Sequence, residues 1–157
     1  MLWWLSYGGV VLVTCAGALL AYETIGEVVM IGLLLVTLLS QVLLLYLARV
    51  SRRWALIGAL VLAAAIVPYH AYLGLRLLRV RAEAQRIADY AYTVRQQTGQ
   101  FPASLAEYYY TDHRAKPFIQ DYQLFERTGE FTVTFCVGTV NTSHWYSSRT
   151  GWGYYPD

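Results

Sequence analysis

Three long stretches of this chain carry no charged side chain: residues 1–22, 28–48 and 54–75. An α-helix rises about 1.5 Å per residue, so ~20 residues cross the roughly 30 Å hydrocarbon layer of a bilayer. Each run is long enough, and all three are rich in Leu, Val, Ala and Gly. They predict three transmembrane helices. Glu23, Glu27, Arg49, Arg52 and Arg53 are the charged residues up to position 75, and all the others follow it. Apolar residues make up 57% of the 157 and charged residues 14%, against about 25% in ordinary soluble domains. That division excludes a single soluble globule. The apolar and aromatic content also excludes a disordered chain. A net charge of +2, scattered along the sequence, gives no footprint for nucleic acid. Cys15 and Cys136 lie too far apart in sequence, and are too few, to suggest a disulfide framework.

Trp3, Trp4 and Trp54 sit at run ends, where indole rings favour the headgroup boundary. Pro68 lies inside the third run and removes one backbone donor, which favours a bend. Ala55, Ala59 and Ala63 repeat every fourth residue. They are either a seam for close helix packing or plain lipid-facing alanines. The first run lacks the positive start of a secretory signal, and Val13-Thr14-Cys15 is a poor lipoprotein cleavage site, so residues 1–22 are expected to be retained. The loop from Glu23 to Glu27 has no basic residue, whereas Arg49-Val50-Ser51-Arg52-Arg53 has three. This asymmetry places the second loop and the amino terminus in the cytoplasm and the carboxyl-terminal part outside. Arg76, Arg79, Arg81 and Arg86, directly after the third run, pull the other way.

Residues 76–157 read as a small α+β domain. Leu75 to Thr98 contains no Gly or Pro. Val80, Ala84, Ile87, Ala91 and Val94 recur at spacings of four and three, one face of an amphipathic helix. Gly99 supplies its stop. Ser104-Leu105-Ala106-Glu107 has capping-box spacing and predicts a short helix over 104–110. Residues 111–120, with Pro117, read as a loop. Tyr122–Arg127 and Phe131–Val137 then flank Thr128-Gly129-Glu130, a hairpin in which Phe131, Val133, Phe135 and Val137 share one face. His144–Ser148 and Trp152–Tyr155 around Arg149-Thr150-Gly151 read as a second hairpin. The predicted whole is a long amphipathic helix packed on a three- to four-stranded antiparallel sheet, with the helix covering a sheet too small to stand alone.

The order of these elements, with Thr98-Gly99-Gln100-Phe101-Pro102-Ala103-Ser104-Leu105 after the helix, resembles the globular part of type IV pilin-like proteins, the pseudopilin kind. Gly99, Phe101, Pro102, Ser104 and Leu105 match the Gly-x-Phe/Tyr-Pro-x-Ser-Leu segment that recurs there, and the likeness covers roughly residues 54–157. True pilins begin with a short basic leader and a processing site followed by Phe-Thr-Leu-Ile-Glu or similar. Nothing of that kind precedes the run at 54–75, so processing and polymerisation as a pilin are not expected. The resemblance implies a pilin-like domain on a polytopic anchor, on the periplasmic side of a bacterial inner membrane.

Chemistry-bearing residues are few. His70 falls in the third run, close enough to its end to sit wet at the interface. Asp112-His113 is an orienting pair in principle, and His144 with Cys136 a nucleophile pair. No metal-ligand spacing, phosphate loop or nucleophile elbow accompanies them, so no catalysis, cofactor, metal or small-molecule substrate is expected. Asn141-Thr142-Ser143 fits a glycosylation sequon that would carry no meaning in a bacterial protein.

Arg76, Arg79, Arg81 and Arg86 lie either along anionic headgroups of the membrane lipid or on the solvated face of the amphipathic helix, with Glu83 pairing Arg79. The apolar stripe beneath them, which needs a sheet partner, favours the second. Tyr108, Tyr109, Tyr110, Trp145, Tyr146, Trp152, Tyr154 and Tyr155 are more aromatic surface than a small sheet buries. They are either core packing with contact to the membrane surface or a protein interface. Strand alternation puts one of Trp145 and Tyr146 outward, and likewise one face of Trp152 to Tyr155. The expected function is a non-enzymatic interaction or assembly protein, an accessory subunit of an envelope, pilus or secretion-type complex with a protein partner in the membrane. The alternative is an inhibitor or immunity-type membrane protein; an enzyme or transporter has the least support, since no charge is buried in the runs.

Overall fold

The computed structural model describes residues 2–139 and 142–156. The elements are α1 (Leu2–Thr24), α2 (Glu27–Leu47), α3 (Arg52–Thr98), a single 3-10 turn at Lys116–Phe118, and strands β1 (Ile119–Phe125), β2 (Glu130–Phe135), β3 (Thr142–Ser147) and β4 (Gly151–Pro156). They form two compact units, Met1–Gly74 and Leu75–Asp157. All three helices are long and apolar enough to cross a membrane, and α3 runs through Pro68 without a break.

In the first unit, small side chains set the helix spacing. Ala18, Ala21, Ala55 and Ala59 are fully buried, so of the two readings left open for the alanine repeat its first two members take the packing one, while Ala63 is half-buried. A Cβ at Gly17 would stand 3.2 Å from the Val67 Cα, which only glycine leaves open to α3. Large side chains such as Leu12, Val28, Leu39 and Leu43 point away from the unit and are exposed. Trp4 and Trp54 are exposed as well. Trp3 is held instead: its indole N–H donates to the Arg52 carbonyl at 3.0 Å, and its ring stacks on Tyr7 at 5.1 Å.

In the second unit the stripe along α3 is the core. Val80, Ala84, Ile87 and Ala91 are fully buried, against a four-stranded antiparallel sheet in the order β1-β2-β3-β4. Phe131, Val133, Phe135 and Val137 face inward as the alternation requires, each at most 1% exposed. Burying side chains of this size is worth about 1.5–3 kcal/mol apiece. Tyr92, Phe101 and Tyr122 close around Phe131, with ring centroids 5.7, 4.8 and 5.6 Å from it. Gly99 ends α3 at a φ of +82°, a conformation a β-carbon disfavours.

Three expected elements differ from the structure. Residues 104–110 form no helix. The Ser104 hydroxyl accepts the Ala106 N–H at 3.4 Å and Tyr108 N–H reaches the Leu105 carbonyl at 3.1 Å, so a local turn takes the groups a capping box would use. The chain beyond is drawn out toward Glu83, as described below. Residues 111–120 are not all loop, because the 3-10 turn and the start of β1 lie within them. The first hairpin is shifted accordingly, with β1 at Ile119–Phe125 and its turn at 126–129. Its register slips between Ile119 and Asp121, a bulge that brings both Ile119 and Tyr122 onto the inner face.

Candidate functional site

The register fixes which aromatics look outward. Phe135 opposes His144, Thr134 opposes Trp145 and Val133 opposes Tyr146. His144 in turn opposes Tyr154, Trp145 opposes Gly153, and Tyr146 opposes Trp152. Directly opposed residues share a face, so His144, Tyr146, Trp152 and Tyr154 join the buried side of β2. Trp145 and Tyr155 lie on the opposite side, with Thr132, Thr134, Ser143, Ser147 and Gly153. Trp145 is therefore the outward member of its pair.

The inward set is thoroughly engaged. Tyr146 and Trp152 meet edge to face at 5.1 Å, and the Tyr146 and Tyr92 hydroxyls stand 3.4 Å apart. That hydrogen bond, with burial second, pushes the Tyr146 hydroxyl up to about 12. His144 is sandwiched between Phe135 at 5.3 Å and Tyr154 at 4.7 Å. Cys136 continues the outward parity of Thr132 and Thr134, so the His144–Cys136 nucleophile pair does not form: the two side chains take opposite faces of the sheet. Asp112 and His113 do not pair as acid and imidazole either. The Asp112 carboxylate accepts the Arg114 N–H at 2.9 Å, and His113 lies against Tyr109 at 5.8 Å.

Outward, the Trp145 indole lies across Gly153, where a β-carbon would fall inside the ring. Tyr155 leans on it with centroids 5.1 Å apart and is 64% exposed. One face of the indole is spent on the β4 backbone; Thr134 and Ser143 lie beside it, and the charged side chains of this face, Asp121 on the edge strand β1 and Glu130 paired with Arg149, stand at its margins.

Tyr108, Tyr109 and Tyr110 separate. Tyr109 is 80% exposed, Tyr110 is half-buried beneath Lys116, whose ammonium sits 5.1 Å from the ring centroid, and Tyr108 turns inward to Glu83. This glutamate, which the sequence reading placed on the solvated face, is fully buried. Its carboxylate accepts from Arg86 Nη1 at 2.7 Å, from the Tyr108 hydroxyl at 2.9 Å, and from the Thr111 and Asp112 backbone N–H groups at 2.9 and 3.1 Å. Its ion pair is with Arg86, not with Arg79 as expected. The Tyr108 hydroxyl and the Thr111 and Asp112 N–H groups take the rest of the carboxylate. Burial pushes this carboxyl up, but the four donated hydrogen bonds outweigh it and hold Glu83 below the usual carboxylate range. A signal for this existed, since position 83 is three residues past Val80 and four before Ile87, within the apolar stripe.

The arginines are likewise divided. Arg76 donates to the Val137 carbonyl at 2.8 Å and lies 4.7 Å over Phe118. Arg81 stands 4.7 Å over Trp152, and Arg86 holds Glu83. Arg79 is exposed. Three of the four thus have partners within the domain. His70 differs from its expectation too. At 4% exposed it is buried rather than wet, because Ile66, His70 and Leu73 recur at helical spacing on the packed face of α3. Asn141 of the sequon lies outside the described residues, and both cysteines are free. Among the described residues, no three His, Cys, Asp or Glu side chains converge as a metal site would require.

Comparison of the chain with protein-family models, curated proteins and solved structures found no match.

Proposed function

We propose that this chain is a non-enzymatic membrane protein in which three helices cross a bacterial inner membrane and carry a small binding domain on its periplasmic side, as an accessory subunit of an envelope complex. The ring of outward Leu and Val side chains on α1, α2 and α3 supports insertion, because such a surface is costly in water and neutral in lipid. The three arginines of the 49–53 loop support a cytoplasmic amino terminus. Arg76, Arg81 and Arg86 weigh less against that orientation than their number suggests, since each is engaged within the domain. The sequence of a long helix, the Gly99–Leu105 segment and an antiparallel sheet remains the support for a pilin-like domain.

The observation that carries the binding role is the pair Trp145 and Tyr155, held outward on β3 and β4 while their neighbours in sequence are consumed by the core. A half-exposed indole beside an exposed tyrosine, flanked by hydroxyl side chains with charges only at the margins of the face, is the composition of an interface centre with a polar rim. A photo-crosslinking residue at position 155 in native membranes should yield a discrete protein adduct, and one at the exposed Thr93 of α3 should not. Labelling that is equal at both sites, or to lipid alone, overturns the reading. Reporters active only outside or only inside, fused after the sheet, check the orientation.

A further inference from the structure

We propose that Thr37, Gln41 and Tyr7 together hold a buried water molecule between α1 and α2. Thr37 is fully buried, Tyr7 is 4% exposed and Gln41 6% exposed. The Tyr7 hydroxyl donates to Gln41 Oε1 at 2.6 Å, which satisfies half of the amide. The other half, Nε2, has no partner, and neither does the Thr37 hydroxyl. A buried amide or hydroxyl left unbonded costs about 1–3 kcal/mol, and two such groups within one turn call for a shared partner.

That partner has to be small. Thr37 and Gln41 are four residues apart on one helix face, which puts their β-carbons about 6 Å from each other. Side chains on a helix lean toward its amino terminus, so the Gln41 amide leans toward Thr37 without bonding it. A gap of that kind suits one bridging water. Water can accept from Gln41 Nε2, bond the Thr37 hydroxyl, and donate to the lone pair that the Tyr7 oxygen keeps free, about the three bonds a buried water makes.

The other buried threonines of the unit show that the arrangement at Thr37 is specific. The Thr14 hydroxyl donates to the Val10 carbonyl at 2.7 Å, and that of Thr24 to the Leu20 carbonyl at 2.8 Å. Both satisfy themselves on their own helix, whereas Thr37 does not. His70 Nδ1 also lacks a partner, but it belongs elsewhere. α3 meets α1 near it through Val67 on Gly17 and Gly74 beside Leu20, about 15 Å along α1 from Tyr7.

The test is water-edited solid-state NMR on the full chain in lipid bilayers, with Thr14 as the dry internal standard. Magnetisation from water should reach the Gln41 amide nitrogen and Thr37 several-fold faster than Thr14. Thr37→Val keeps the shape of the side chain and should cut the transfer to Gln41 by half or more; Gln41→Leu should abolish the transfer to Thr37. The proposal fails if Thr37 and Gln41 are as dry as Thr14, or if Thr37→Val leaves the transfer to Gln41 unchanged. The inference needs the membrane-spanning reading but no particular partner. Uniform wetting of all three residues would overturn it together with that reading, whereas a dry Thr14 beside a dry Gln41 overturns this inference alone.

Discussion

The two units treat buried polar groups in opposite ways. In the sheet unit one carboxylate, Glu83, is taken fully out of water and given four donors. In the helical unit Thr37, Gln41 and His70 are just as secluded, and each keeps one polar atom without a protein partner. The difference follows from what each unit has available. The sheet unit has an irregular segment, 99–118, whose backbone N–H groups are not consumed by secondary structure and can be aimed at an acceptor. In the helices nearly every backbone group is already paired within its own helix, so a polar side chain there must find another side chain, its own preceding turn, or water.

The largest test of this contrast is to break the Glu83 cluster. Glu83→Ala leaves Tyr108, two backbone N–H groups and the Arg86 guanidinium without their acceptor. Arg86 is half-exposed and turns to water, but leaving the inward donors unbonded costs about 1–3 kcal/mol for each one that water does not reach. Thermal unfolding of the full chain should show that loss, with amide exchange rising first over residues 108–112. A loss under ~1 kcal/mol would mean that the loop is held by its aromatic contacts instead. The same cluster sets a pH dependence. The folded carboxyl titrates below its unfolded value of about 4.3, so its contribution is complete above that pH. It is lost as pH falls through the lower folded value. Glu83→Gln should flatten this acid limb, and an unchanged limb would assign it to other carboxyls.

The next effect, of about 1–3 kcal/mol, concerns overpacking in each unit. Gly153→Val forces the Trp145 ring off β4, and Gly17→Val pushes α1 against the Val67 backbone. A ring at the sheet surface can swing outward, whereas a helix backbone must shift as a body. Gly17→Val is therefore expected to cost more than Gly153→Val when unfolding is followed in detergent. The reverse order would show that Trp145 is clamped, and that the outer face is more rigid than its exposure suggests.

Much of this was legible in the sequence, and the failures have physical causes. The three helices followed from runs without charge, and the inward face of β2 from strict alternation. That one of Trp145 and Tyr146 faces outward followed from strand alternation, and the pairing of Tyr146 with Val133 decides that it is Trp145. Glu83 was misread because a charged residue on an amphipathic helix is ordinarily solvated, even though its spacing from Val80 and Ile87 put it in the stripe. The start of β1 was missed because the bulge after Ile119 interrupts the period of two: an odd and an even residue, Ile119 and Tyr122, both face the core. The absence of a helix over 104–110 is a tertiary effect. The capping-box spacing was present, but Tyr108 is held by Glu83, 25 residues earlier, and local spacing carries no information about that contact. The Tyr7–Gln41 bond, spanning 34 residues, was invisible for the same reason.

The smallest expected effect separates binding from folding most sharply. Tyr155 is exposed and its ring touches Trp145, while Tyr154, its neighbour in sequence, is stacked on buried His144. Tyr155→Ser should change stability by no more than about 0.5 kcal/mol, as surface substitutions usually do. Tyr154→Ser should cost several times that, because it opens the inner face. If the outward pair is an interface centre, the nearly silent substitution is the one that abolishes crosslinking from a neighbouring outer-face position such as Ser143. A hot-spot tyrosine contributes to binding without supporting the fold. If instead Tyr155→Ser leaves crosslinking intact and Tyr154→Ser removes it only in step with unfolding, the aromatics of β4 serve the sheet alone. The binding surface would then have to be sought at Tyr109, the other strongly exposed tyrosine of this unit.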